Sequence, residues 1–209
     1  MPFGKLRTWG IALIAGLVLA TGGFAQEHRT GVQAPSGYLS GQLLVATPRM
    51  GDPRFARTVI YMVDHNAEGA MGLVINRSFG EGPWNALLEG FGVEHENVSG
   101  RVRLYYGGPV DSSRGFVLHT ADYTGASTRV LDAGVALSTG LDVLRAVAEG
   151  KGPRRSLFVL GYAGWGPGQL EGEMARDDWL TAPAEETLIF GDDPDAIWEK
   201  ALDRAGLTL

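Results

Sequence analysis

A chain of 209 residues with 24 acidic against 18 basic side chains has a formal net charge of −6. That charge disfavours phosphate backbones, and the lysines and arginines are scattered, forming no single basic run. The absence of cysteine excludes disulfides, a thiol nucleophile and a thiolate metal site. The length suits one domain with a single sizeable core.

The N-terminus begins with Lys5 and Arg7, continues through an apolar run over 11–20, and ends in Gly23, Phe24 and Ala25 before the polar Gln26, Glu27 and His28. This order of basic, apolar and small segments predicts a secretory signal peptide over residues 1–25. Residues 8–26 are also uncharged, close to the roughly 20 residues of a membrane helix, so an inner-membrane anchor is the competing expectation. Removing 25 of 209 residues leaves 184, and losing Lys5 and Arg7 takes the formal charge from −6 to −8. The cleaved form would be periplasmic or secreted. Residues 26–37, polar and punctuated by Pro and Gly, read as a linker to a domain over 38–209.

Within that domain, short aliphatic runs bounded by Gly, Pro, Asp or Asn predict strands at 42–46, 58–64, 70–76, 102–107, 115–119, 156–162 and 187–190. Glycine, 31 of 209 residues, is at about twice its usual share, so much of the chain turns between short elements. A helix is expected around 83–88. Thr139 to Asp142 fits a capping box for a second helix, in which Leu141, Leu144 and Ala148 follow on one face and Gly150 ends the run. A third, short helix starts at Pro167 and runs through Met174. In the last, Asp193 caps, Pro194 takes the first position, Trp198, Ala201, Leu202 and Ala205 form the apolar stripe that packs Trp198 onto the sheet, and Gly206 sits past the end. Strands interrupted by helices without a βαβ rhythm predict an α+β fold.

Catalytic signatures are missing from the sequence. No serine lies in G-x-S-x-G, no glycine-rich segment has Walker spacing or a complete G-x-G-x-x-G, and His28, His65, His95 and His119 lack two-ligand spacing. No catalytic residue, metal or cofactor is assigned on these grounds. Asn76 and Asn97 each begin a glycosylation sequon, a pattern short enough to arise by chance.

Three motifs stand out instead. Residues 160–180, LGYAGWGPGQLEGEMARDDWL, hold Trp165 on a glycine-rich turn ahead of a helix whose Gln169 and Glu173 share one face. In one reading, Trp165, Gln169, Glu173 and the helix's free N–H groups surround a small anionic ligand. In the other, Trp165 and Trp179 anchor the core and Gln169 and Glu173 satisfy buried polar groups. Residues 52–76, DPRFARTVIYMVDHNAEGAMGLVIN, read as a hairpin with a turn at 65–69. There His65 is a candidate acid-base or binding residue, with Asp64 and Glu68 near enough to raise its pKa. Asn76 ends the return strand, where its amide can close a turn or read a ligand, and Arg49, Arg54 and Arg57 make a mildly basic patch for an anion or partner. Gly107, Gly108 and Pro109 follow the strand residues 102–106, where such glycines permit a sharp turn or the close approach of a ligand or chain.

Taken in order over residues 41–207, these motifs resemble the YqgE/AlgH family (UPF0301) of bacterial proteins. The resemblance implies a compact α+β domain with a large mixed, barrel-like β-sheet flanked by a few short helices. It implies no reaction, and the link to alginate regulation carries no mechanism. Ser78, Asp111 and Asp177 depart from residues common in the family. Relatives generally start near the equivalent of Tyr38 or Leu39 and are cytoplasmic, which makes the leader the larger departure. The leading functional expectation is a non-enzymatic binding or regulatory module, with a pocket of His65, Asn76, Gly107, Gly108, Pro109, Trp165, Gln169 and Glu173 and an unknown protein or small anionic ligand as partner. The alternatives are a hydrolase using His65 or His119 with an acidic partner, and a DNA-binding transcriptional regulator, which the acidic charge opposes.

Overall fold

Side chains alternate strictly along the first strands, and both sets are buried. In β1 (Gln42–Ala46) and β2 (Val59–Asn66), Leu43, Val45, Val59 and Tyr61 enter one cluster while Leu44, Ala46, Ile60 and Met62 enter another. Strands apolar on both faces require cover on both sides of the sheet. The computed structural model that provides this view describes residues 37–95, 98–132 and 134–209. The expected leader and residues 26–36 of the linker lie outside them.

The chain continues through β3 (Gly69–Val74), β4 (Ser78–Pro83), α1 (Trp84–Gly90), β5 (Arg101–Tyr106), β6 (Val110–Thr120), β7 (Thr128–Asp132), β8 (Val135–Ser138) and α2 (Leu141–Ala148). Then come β9 (Ser156–Trp165), α3 (Gln169–Met174), β10 (Trp179–Pro183), α4 (Glu186–Ile189) and α5 (Pro194–Arg204). Among the described residues ten strands form one sheet in the order β10-β1-β2-β3-β9-β6-β8-β7, with β5 on β9 and β4 on β5. Among the described strands only β5 and β9 run parallel. The sheet curls into a half-barrel, and the domain is α+β as expected. Helices α4 and α5 cover the face carrying Leu43 and Tyr61. On the opposite face, Leu170 of α3 joins Leu44 and Ile60, while Leu88 of α1 and Leu144 of α2 pack on Val117 and Phe158. No described helix is long and apolar enough to cross a membrane.

β9 is the hub of this sheet. β6 runs along one edge, and the other edge is divided: β5 pairs with the stretch Phe158 to Leu160 and β3 with Ala163 to Trp165. At the junction Gly161 has φ +73°, the Gly107 N–H donates to the Leu160 carbonyl at 2.8 Å, and the Gly107 carbonyl accepts from the Val74 N–H at 2.9 Å. A Cβ on Gly107 would overlap the Gly161 carbonyl, and one on Gly108 the backbone of Tyr162, so the glycine pair permits this crossing.

α5 follows its sequence signals. The Asp193 carboxylate accepts the Asp195 N–H at 3.2 Å, Pro194 opens the helix, and the Trp198 indole N–H donates to the Ala46 carbonyl at 2.7 Å. Three expectations are corrected. The strand predicted at 187–190 falls largely within α4, because a short apolar run without alternation looks alike in either state and here Leu188 and Ile189 bury as a helical turn. Gly140 and not Thr139 caps α2, and the Asp142 carboxylate instead accepts the hydroxyl and N–H of Ser127. The third helix begins at Gln169 and not at Pro167, with Gly168 at its N-cap. Strands β4, β7, β8 and β10 are additions to the expected set.

Candidate functional site

The glycine turn after β9 ends at Gly168, whose φ of +72° no β-carbon residue adopts cheaply, and α3 starts there. Leu170 and Met174 pack downward. Gln169 and Glu173, one turn apart, project on another face. The Glu173 Oε2 accepts both indole N–H groups, that of Trp165 at 2.8 Å and that of Trp179 at 2.9 Å. Its Oε1 accepts the Gln169 amide at 2.9 Å, and the Gln169 Oε1 accepts the Gly166 N–H at 3.2 Å. The two indoles meet edge to face with centroids 6.1 Å apart, and Phe55 packs against Trp179 in the same manner at 5.6 Å.

A cleft of about 460 Å³ opens beside this group. Trp165, Gln169, Glu173 and Trp179 form one wall; Met50, Arg54 and Phe55 and then Pro109 and Val110 form others. Two guanidiniums, Arg54 and Arg176, face three carboxylates, Asp52, Glu173 and Asp178. Asp52 holds Arg54 through Nε and Nη2, at 2.6 to 3.1 Å, and that hydrogen bonding lowers the Asp52 pKa. Arg176 pairs with Asp178 at 3.2 Å.

The α3 N-terminus does not serve the cleft as expected. It is a six-residue helix in which the Gln169 N–H donates to the Gly166 carbonyl. The Glu171 carboxylate is held by its own backbone N–H, the first cause of its lowered pKa, despite the burial that opposes it, with a smaller contribution from His65.

His65 is corrected from a turn residue to a strand residue: β2 runs through Asn66 and the turn shrinks to Ala67 and Glu68, because the Asn66 side chain accepts the Glu68 N–H at 2.8 Å. At 6% exposure, His65 accepts the Leu39 N–H on Nδ1 at 3.0 Å. Its hydrogen therefore resides on Nε2, 3.1 Å from the Glu171 carboxylate. Asp64 is turned away, 3.6 Å from Arg129.

Asn76 spans two backbone groups, accepting from the Val59 N–H at 2.8 Å and donating to the Arg57 carbonyl at 2.9 Å. Of the eight anticipated residues, Pro109, Trp165, Gln169 and Glu173 line the cleft, while His65, Asn76, Gly107 and Gly108 do not. The arginine patch disperses: Arg54 lines the cleft, Arg49 lies 3.9 Å from Asp177, and Arg57 stacks over Trp198 and pairs with Glu199 at 3.0 Å. Met50, Arg176 and Asp178 were not anticipated as cleft residues. Phe55, Arg176 and Asp178 nonetheless fall inside the two long motifs, which was the only signal for them, whereas Arg54 also stood in the expected basic patch and Trp179 among the expected core anchors.

A second polar group has its centre, His119 and Ser138, fully buried. His119 donates from Nδ1 to the Thr120 carbonyl at 2.8 Å, and burial lowers its pKa, so Nε2 accepts the Ser138 hydroxyl at 2.9 Å. Ser138 in turn accepts from Thr128 at 2.7 Å, and Thr128 accepts the Gly125 N–H at 2.9 Å. Sequence reading missed this chain because β7 and β8, which carry Thr128 and Ser138, were not predicted. Among the described residues no three histidine or carboxylate side chains gather as a metal site.

The family model described as AlgH-like (DUF179) matches residues 43–209. A UPF0301 protein of Methylococcus capsulatus is 56% identical over 179 residues, 85% of this chain and 98% of its own. One from Rhodospirillum rubrum is 48% identical over 176 residues, 84% and 92% of the two chains. The solution structure of the AlgH protein from Pseudomonas aeruginosa aligns with a TM-score of 0.68 at 42% identity, covering 84% of this chain and 93% of that one. The crystal structure of protein DIP2367 from Corynebacterium diphtheriae gives 0.62 at 25% identity, over 79% and 86%.

Proposed function

The chain belongs to the AlgH-like family, and we propose from its own cleft that it is a non-enzymatic binding module for a small anionic ligand. The observation that carries this reading is the division of labour in the cleft wall. Glu173 is spent on two indoles and a glutamine, which makes it an anchor, and the other two cleft carboxylates, Asp52 and Asp178, are each paired with an arginine. Asp52 engages only Nε and Nη2 of Arg54, leaving the Nη1 donors for an incoming anion beside Phe55. A regulatory role would follow from occupancy of this site.

A thermal-shift screen of small anions tests the reading. A ligand that stabilises the wild type should lose its effect in Arg54→Gln and Arg176→Gln, both exposed positions. Equal stabilisation of all three proteins would reject the cleft as the site.

One observation favours a second, hydrolytic reading: the serine hydroxyl of Ser138 is hydrogen-bonded to a neutral histidine. Both side chains are fully buried, and Ser138 also accepts from Thr128, which opposes attack on a substrate. Labelling of Ser138 by a fluorophosphonate would favour hydrolysis over the binding reading.

A further inference from the structure

A separate cavity of about 150 Å³ lies on the face covered by α1 and α2. Its buried floor is apolar apart from Ser138 and is made by Phe116, Val117, Leu144, Phe158 and Val159, with Leu87 and Phe91 on the α1 side. Its exposed lining residues, which mark the mouth, are Arg114, Thr139 and Leu141. A well-packed core leaves few voids larger than a water molecule, and a dry apolar cavity of roughly this size holds a benzene ring.

Arg114 supplies the second half of the argument. It stands over the Phe116 ring with its guanidinium 5.2 Å from the centroid, and among the described residues it makes no ion pair. A cation at the rim of an apolar pocket complements a molecule with a carboxylate at one end and a short hydrocarbon tail at the other. We propose that this cavity binds small amphipathic carboxylates, with the tail between α1, α2 and the sheet and the carboxylate on Arg114. The site is distinct from the α3 cleft, and neither proposal depends on the other.

The test is NMR titration of the full chain with hexanoate, and with hexanol as the uncharged control. Hexanoate should shift the methyl signals of Leu87, Val117 and Leu144 and bind more tightly than hexanol. Arg114→Gln, an exposed change, should weaken hexanoate roughly tenfold and leave hexanol unaltered. Leu141→Trp at the rim should block both. The proposal is overturned if millimolar hexanoate shifts none of these methyls, if shifts appear only in the α3 cleft, or if Arg114→Gln binds hexanoate as the wild type does.

Discussion

Glu173 and Trp179 meet across the α3 turn, the carboxylate accepting the indole N–H at 2.9 Å while the same oxygen accepts that of Trp165. One acidic side chain thus satisfies two buried aromatic donors. Glu173→Ala should therefore cost about 2–4 kcal/mol in urea unfolding, since each orphaned buried donor costs about 1–3 kcal/mol. Glu173→Gln, whose amide oxygen still accepts, should recover part of that loss. A loss in Glu173→Ala below about 0.5 kcal/mol, the range of neutral surface changes, would show that the indoles find other partners.

Gly107→Ala should abolish folding or cost more than about 3 kcal/mol, because its Cβ overlaps both the Gly161 carbonyl and the Val159 side chain. Gly82→Ala is the control: it meets nothing within 4 Å and should change the urea midpoint little. Two variants with similar midpoints would contradict the tight crossing.

Burial lowers the pKa of His119 below its ordinary 6.5, with the Thr120 carbonyl and Asp122 opposing the shift. Between the folded value and 6.5 the unfolded chain binds the extra proton. Stability from this group is thus full above about 6.5 and falls as the pH drops below it. His119→Gln should flatten the dependence of the urea midpoint on pH between 7.5 and 5.5. An unchanged slope would assign the effect to other groups.

Trp198→Phe keeps a buried ring but removes the hydrogen bond to the Ala46 carbonyl, and should cost about 1–3 kcal/mol. Amide exchange should then rise in α5 before β1, because α5 loses the tie that docks it. Uniform exchange would sink this expectation.

The basic, apolar and small segments at the N-terminus carry a prediction of their own. A reporter active only outside the cytoplasm, fused after Gln26, should be exported, and the mature chain should begin near Gln26. An inactive fusion would return the chain to the cytoplasm, and an uncleaved one to the membrane anchor.

Several parts of this molecule could be read from the sequence, and the reasons differ. The Asp193-Pro194 start of α5 was legible because capping depends on neighbouring residues. The crossing at Gly107 announced itself as a glycine pair, but its partner, 53 or 54 residues away at Leu160 and Gly161, did not. His65 was misplaced because Asn66 and Gly69 both favour turns, while the choice between a five-residue and a two-residue turn rests on pairing with Ala70. Half of the anticipated pocket residues line the cleft, and of these Gln169 and Glu173 follow from helical spacing. That Glu173 faces two indoles depends on β10, whose short WLTAP run has no clear alternation.

The divided edge of β9 has a consequence for how the protein is made. β3, β5 and β6 are all synthesised before the strand they pair with, so during translation three sets of unpaired backbone groups wait for residues 156–165. A ribosome paused or a chain cut before Ser156 leaves those strands without their common neighbour, exposed to other chains. The nascent protein therefore commits to its sheet late, and a stalled or truncated product is the form most in need of a chaperone.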